Sequence, residues 1–194
     1  VNRLSIGVQS FQPRLLAVLG RIHTADQARE VVRLARQSGF DNLSLDLLHG
    51  LPGETAEELA RDLDEATGLA PEHLSAYGLS YEPGTPLRQA VARGELARLT
   101  PEEEAAQYLL VIERLEAAGL EQYEISNYAR PGRQARHNLV YWRNEAYLGV
   151  GPAAASYLGG VRSVNERDLD AYLAAIAARG DATAFREELD PAAR

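Results

Sequence analysis

The sequence predicts an α/β chain: a parallel sheet assembled from strand–helix units, followed by an α+β extension. Three observations lead there. Strand-like and helix-like segments alternate from Leu4 to Gly119, the order that right-handed βαβ crossovers produce. Residues 42–48 are almost continuously apolar, as suits a parallel strand covered on both faces. After Gly119 the alternation stops, and aromatic stretches, short strands and a Gly-Gly turn take over.

Residues 4–8 set Leu4, Ile6 and Val8 against Ser5 and Gly7, a short strand that ends at Gln9. A short helix over 11–19 begins near Pro13, whose fixed φ suits a first turn. Thr24 caps a longer helix over 25–38. Its Ala28, Val31, Val32 and Ala35 recur at helical spacing, Arg29, Arg33 and Arg36 point outward, and Gly39 ends it. The second strand spans 42–48. Thr55 and Glu58 form a capping box that opens a helix over 56–69. A third strand over 73–81, the turn Pro83-Gly84-Thr85-Pro86 and a short helix over 87–93 follow. Thr100 then caps a helix over 101–118 that has three acidic residues in its first turn. Three strands are too few to close a barrel. Beyond Gly119, residues 122–128 read as a strand-like aromatic stretch, and 147–150 and 154–158 as short strands. Gly159-Gly160 reads as a two-residue hairpin turn into Val161-Arg162-Ser163, and 168–178 as a last helix.

Composition narrows the chemistry. At 194 residues with 45% apolar content the chain can bury roughly 70% of its unfolded surface. It has no cysteine, which excludes disulfides, thiolate catalysis, cysteine-ligated zinc and any iron–sulfur cluster held by this chain alone. Every basic residue is arginine, so Schiff-base lysine chemistry and a Walker-type phosphate lysine are excluded too. The net charge of -8 makes nucleic acid an unfavourable partner. No apolar run reaches the length of a membrane span, which leaves only a peripheral membrane contact open, and the expected location is the cytoplasm. The chain has no methionine, enters an apolar strand directly from Val1 and stops near Pro191 without a cap. It reads as an internal piece of a longer protein.

Asp46 is the most informative residue. A carboxylate within an apolar strand is expensive unless it is paired, and alternation groups it with Ser44 and Leu48, opposite Leu43, Leu45 and Leu47. Either a ligand or a neighbouring arginine would satisfy it. Gln9 ends the first strand, where α/β folds place ligand contacts; otherwise it is an exposed turn residue. Arg21 could grip a carboxylate, on a ligand or on Asp46, or be solvated. The Gly-rich loop 49–55 has the shape of an anion cradle, but without lysine and beside Glu54 and Glu58 it reads as a tight turn. Gly149-Val150-Gly151 carries nothing by itself. His137, Tyr141 and Trp142 stand among Arg130, Arg133, Arg136 and Arg143 and close to Tyr123, Tyr128 and Tyr147. That mixture suits a planar anionic ligand such as a porphyrin with propionates, or else an aromatic core with an arginine rim.

Together these segments resemble a known family. Val1-Asn2-Arg3-Leu4-Ser5-Ile6-Gly7-Val8-Gln9-Ser10-Phe11, Leu19-Gly20-Arg21-Ile22-His23 and Leu45-Asp46-Leu47-Leu48-His49-Gly50-Leu51-Pro52-Gly53 look like the second half of a radical SAM barrel. Leu74-Ser75-Ala76-Tyr77, Glu82-Pro83-Gly84-Thr85, Tyr123-Glu124-Ile125-Ser126-Asn127-Tyr128-Ala129 and His137-Asn138-Leu139-Val140-Tyr141-Trp142 extend the likeness. The family is that of oxygen-independent coproporphyrinogen III oxidase, and within it the HemW-like haem chaperones. The resemblance covers nearly the whole chain in order. It implies the C-terminal half of a partial (β/α)6 TIM-like barrel at 1–119 and an α+β C-terminal extension at 120–194. S-adenosylmethionine would lie in the barrel mouth on a [4Fe-4S] cluster. By resemblance, Gln9, Arg21 and Asp46 line the S-adenosylmethionine site, and His137, Tyr141 and Trp142 are contacts for haem or substrate.

Departures matter as well. The CxxxCxxC cluster loop, the Gly-rich S-adenosylmethionine motif with its following acidic residue, and the final winged-helix-like part have no counterpart here. Ala155 stands where the family often has histidine. The resemblance implies two competing functions for the parent. One is a haem carrier that delivers haem to an acceptor protein. The other is an enzyme that decarboxylates two propionates of coproporphyrinogen III with a radical derived from S-adenosylmethionine. The His137-Asn138-x-x-Tyr141-Trp142 pattern favours the carrier; a relic without a ligand is the third reading. The cluster is expected only in the full-length parent, with haem as cargo, and this chain alone is expected to perform neither chemistry.

Overall fold

The computed structural model describes residues 2–190; Val1 and Pro191, named above, lie outside them. The chain divides into two units, Val1–Gln134 and Ala135–Arg194.

In the first unit, β1 (Leu4–Gln9), β2 (Leu43–His49) and β3 (His73–Gly78) are parallel. They are joined through α1 (Pro13–Val18) with α2 (Ala25–Gln37), and through α3 (Ala56–Gly68). After α4 (Pro86–Ala92) and α5 (Pro101–Ala117), β4 (Glu121–Gln122) and β5 (Asn127–Ala129) complete a five-stranded sheet of order β1-β2-β3-β5-β4, with β5 antiparallel to β3. This is the expected α/β arrangement, an open part of a TIM-like barrel. The register explains its two faces. Leu4, Leu43, Ile6, Leu45, Leu74, Leu47 and Ala76 share one face and pack on α2, α3 and α5. Each fully buried leucine there contributes about 1.5–3 kcal/mol. The opposite face carries Ser5, Gly7, Ser44, Asp46, His73 and Ser75 and is polar.

Helix starts follow the sequence closely. Thr24, Thr55 and Thr100 each accept from the third helical N–H, and Gln27, Glu58 and Glu103 return the bond, so all three are complete capping boxes. Three expectations for this unit need correction. Val31 is exposed, because the buried stripe of α2 runs through Ala28, Val32 and Ala35. Residues 122–128 are not one strand. They turn sharply between β4 and β5, with Tyr123 N–H donating to Asn127 O at 3.1 Å. The third strand stops at Gly78 rather than at residue 81.

The second unit contains α6 (Arg136–Trp142), an antiparallel sheet of β6 (Ala155–Leu158), β7 (Val161–Asn165) and β8 (Thr183–Glu188), and α7 (Leu169–Arg179). Gly159 and Gly160 have φ of 60° and 83° and make the expected hairpin turn. Asp168 caps α7 as the sequence suggests. Residues 147–150 form no strand; only Tyr147 bridges to Tyr157. Gly149 has a packing role, since a Cβ there would collide with the Ala155 carbonyl oxygen.

Candidate functional site

The polar face of the first sheet is the candidate site. Asp46 lies on it, half-buried, and both its oxygens accept from Ser5 Oγ at 2.9 Å. Its partner in this chain is therefore a hydroxyl on β1 and not the arginine considered from sequence. Gly7 is the residue paired with Asp46 across the strands. A Cβ on Gly7 would come within 2.7 Å of Gln9 Nε2, so the Gln9 amide is folded back over Gly7 on the face that carries Asp46. Gln9 reaches this position because its backbone is left-handed, with φ of 69°, and the β1–β2 register slips between Gly7 and Gln9.

Arg21 is placed apart from these two. It is exposed on the loop between α1 and α2, its N–H bonded to Leu16 O, and it lines a cleft with Phe11, Leu16, Ile22 and Asp26. No bond joins its guanidinium to Asp46 among the described residues. Nearby His23 puts Nε2 3.0 Å from Val8 O.

The same sheet face holds a buried relay that sequence reading missed. Ser44 Oγ and His73 Nδ1 are 2.7 Å apart, as are His73 Nε2 and the Tyr123 hydroxyl. Burial, helped by the Arg3 guanidinium, lowers the His73 pKa to about 4. Ser75 Oγ donates to Asn127 Oδ1 at 2.7 Å in the neighbouring row. The only signal in the sequence was period-2 alternation of Ser44 with Asp46 and of His73 with Ser75.

Two buried carboxylates hold the loops above this face. Glu54 Oε2 accepts from Gly50 N at 2.9 Å and Leu51 N at 3.2 Å, so the N–H groups that could have cradled an anion are taken and loop 49–55 is a turn. Burial pushes the Glu54 pKa up to about 7, with Asp62 adding repulsion. Asp62 Oδ1 accepts from Phe11 N at 3.1 Å and Gln12 Nε2 at 2.7 Å, and its Oδ2 from Ser10 Oγ. Burial raises its pKa as well.

The donor set fits S-adenosylmethionine in character: a carboxylate for ribose hydroxyls or an ammonium, an amide beside it, and a glycine that leaves room. It does not fit the cluster, because the chain has no cysteine, and no group of three or more metal-ligating side chains occurs among the described residues.

In the second unit, His137, Tyr141 and Trp142 all lie on α6 and are exposed. His137 Nε2 and the Tyr141 hydroxyl are 2.9 Å apart. The Tyr141 ring meets Tyr147 edge-on at 4.6 Å, and Tyr147 lies 6.4 Å from the buried Tyr157. The cluster is thus a surface ladder rather than an aromatic core. Of the arginines grouped with it from sequence, Arg130 Nε donates to Pro71 O and the Arg133 carbonyl accepts from Arg3, both within the first unit. Arg143 stands 3.9 Å from Glu145. Ala155 opens β6 and is exposed.

Comparison with known proteins agrees with this architecture. The radical SAM superfamily model matches residues 1–66, which include Gln9, Arg21 and Asp46. A Bacillus subtilis protein named haem chaperone HemW is 43% identical over 93% of this chain and 48% of its own length. A Mycobacterium tuberculosis protein of the same name is 43% identical over 88% of this chain and 44% of its own. The solved coproporphyrinogen III oxidase HemN of Escherichia coli, described as a radical SAM enzyme, superposes with a TM-score of 0.79. It is 23% identical and covers 97% of this chain and 46% of its own, a likeness of fold. The chain spans about half the length of the curated relatives it matches; over most of its own length it is similar to proteins named haem chaperone HemW, and its residues 1–66 match the radical SAM superfamily model.

Proposed function

We propose that the protein to which this chain belongs binds haem and passes it to an acceptor protein, as a haem chaperone of the cytoplasm. The single observation that carries this reading is the 43% identity, over 93% of the chain, to a protein named haem chaperone. In this reading α6 presents the cargo contacts His137, Tyr141 and Trp142. Arg136 and Arg143, on or beside the same helix, are available to propionates through charge-assisted hydrogen bonds. Gln9, Arg21 and Asp46 contribute to an S-adenosylmethionine site, with Arg21 entering from its loop. A [4Fe-4S] cluster is held by residues outside this chain. Residues 1–119 serve as the barrel half, and 120–194 as the extension that carries haem.

The test uses the full-length protein. Haem titration should give a Soret band, and the haem should move to an apo-acceptor. Coproporphyrinogen III should remain unconverted with cluster, S-adenosylmethionine and an electron donor present. Chromatographic detection of its decarboxylation would replace the carrier reading with the oxidase.

A further inference from the structure

We infer that Asp62, on α3, is the positioning residue for Gln9, fixing the left-handed backbone that turns the Gln9 amide toward Asp46. The inference rests on the reading of that face as the S-adenosylmethionine site.

Asp62 is 1% exposed, and no arginine pairs with it among the described residues. An uncompensated buried carboxylate is costly, so its hydrogen-bond partners are informative. All three donors come from one loop: Ser10 Oγ, Phe11 N and Gln12 Nε2. Ser10 Oγ in turn accepts from Gln12 N at 3.0 Å. These are the three residues that follow Gln9. On its other side, the Val8 carbonyl is held by His23 Nε2 at 3.0 Å.

Gln9 therefore sits between two anchored neighbours, with Ser10 N donating to Val8 O at 2.9 Å across it, in a left-handed conformation. Left-handed backbone is disfavoured for a non-glycine residue of this type. Released from Asp62, Gln9 would relax toward extended geometry. Its side chain would then follow strand alternation instead of folding over Gly7. Leu59 and Leu63, on the same helix, face the apolar core, whereas among the described residues every hydrogen bond of the Asp62 carboxylate goes to this loop. The carboxylate acts as a clamp on one segment, separate from the packing of α3.

The experiment compares Asp62→Ala, Asp62→Asn and Leu63→Ala in the full-length protein. Leu63 is fully buried, so its truncation lowers stability without touching the loop. S-adenosylmethionine affinity is measured by calorimetry, stability by thermal midpoint, and the Gln9 φ by crystal structures of the variants. Asp62→Ala should weaken affinity by about tenfold, the equivalent of one lost polar contact, and return Gln9 to negative φ. Asp62→Asn keeps an acceptor for Phe11 and Gln12 and should stay within about threefold. Leu63→Ala should lower the midpoint at least as far with affinity unchanged. The inference falls if Asp62→Ala leaves Gln9 left-handed, or if Leu63→Ala weakens binding equally. Full affinity in Gln9→Ala and Asp46→Ala would instead remove the site reading, with the Gln9 φ still deciding what Asp62 does.

Discussion

The Tyr141 hydroxyl lies 2.9 Å from His137 Nε2, one turn away on α6, with the two rings meeting edge-on at 4.9 Å. Whichever atom carries the proton, Nε2 is engaged, and haem iron can take that nitrogen only after the bond is given up. Tyr141→Phe keeps the packing against Tyr147 and removes the competitor. It should tighten haem binding about three- to tenfold, the worth of one exposed hydrogen bond. His137→Ala should weaken binding and shift the Soret band. Loss of haem in Tyr141→Phe would make the tyrosine oxygen the ligand instead.

Gly7 gives a second handle on the first unit. An added Cβ would meet Gln9 Nε2 at 2.7 Å, and that atom ends a flexible side chain, so the amide should swing away while the strand stays. Gly7→Ala should change stability by less than about 1 kcal/mol and lower S-adenosylmethionine affinity in the full-length protein. Calorimetry showing unchanged affinity would exclude the Gln9 amide from the site.

The sheet and its helices were legible because local signals agreed with the fold. Thr24, Thr55 and Thr100 marked helix starts, and the leucines of β2 marked a covered strand. Asp46 stood out because a carboxylate conflicts with its apolar neighbours. What stayed hidden depends on partners distant in sequence. His73 and Tyr123 meet across 50 positions, and Asp62 binds a loop 50 to 52 positions earlier. β8 was missed because Thr183–Glu188 is mostly exposed and charged, which leaves no apolar alternation to read. The turn that splits 122–128 is set by pairing of β5 with β3, a tertiary choice.

Glu54 should make stability fall as pH rises. Its pKa in the fold, about 7, lies above the usual 4.5, so its contribution is fully present below pH 4.5 and lost as pH climbs through about 7. The upper bound on the change is about 3 kcal/mol. Glu54→Gln keeps an acceptor for Gly50 and Leu51 and should flatten this slope. Urea midpoints at pH 5 and pH 8 measure it, and an equal slope in the variant would assign the pH dependence elsewhere.

His73 should show the opposite slope. Its pKa of about 4 lies below the usual 6.5, through burial first and the Arg3 charge second. Its contribution to stability is therefore present above pH 6.5 and lost as pH falls through about 4. Between those values it works against Glu54, so the Glu54→Gln protein should display the His73 limb more fully, with stability rising more steeply from pH 4 to about 6.5 than in the parent and only the raised Asp62 carboxyl still opposing it. In the native fold the His73 ring should stay neutral until about pH 4 when its Cε1 proton is followed by NMR. Neutral imidazole donates through one nitrogen and accepts through the other, which suits a ring held between the hydroxyls of Ser44 and Tyr123. Arg3→Ala should move the titration upward by removing a repulsive charge. Tyr123→Phe should leave Nε2 without that partner, at a cost of about 1–3 kcal/mol. A His73 resonance that titrates near 6.5 in the folded protein would mean that the ring is solvated and that the relay does not form.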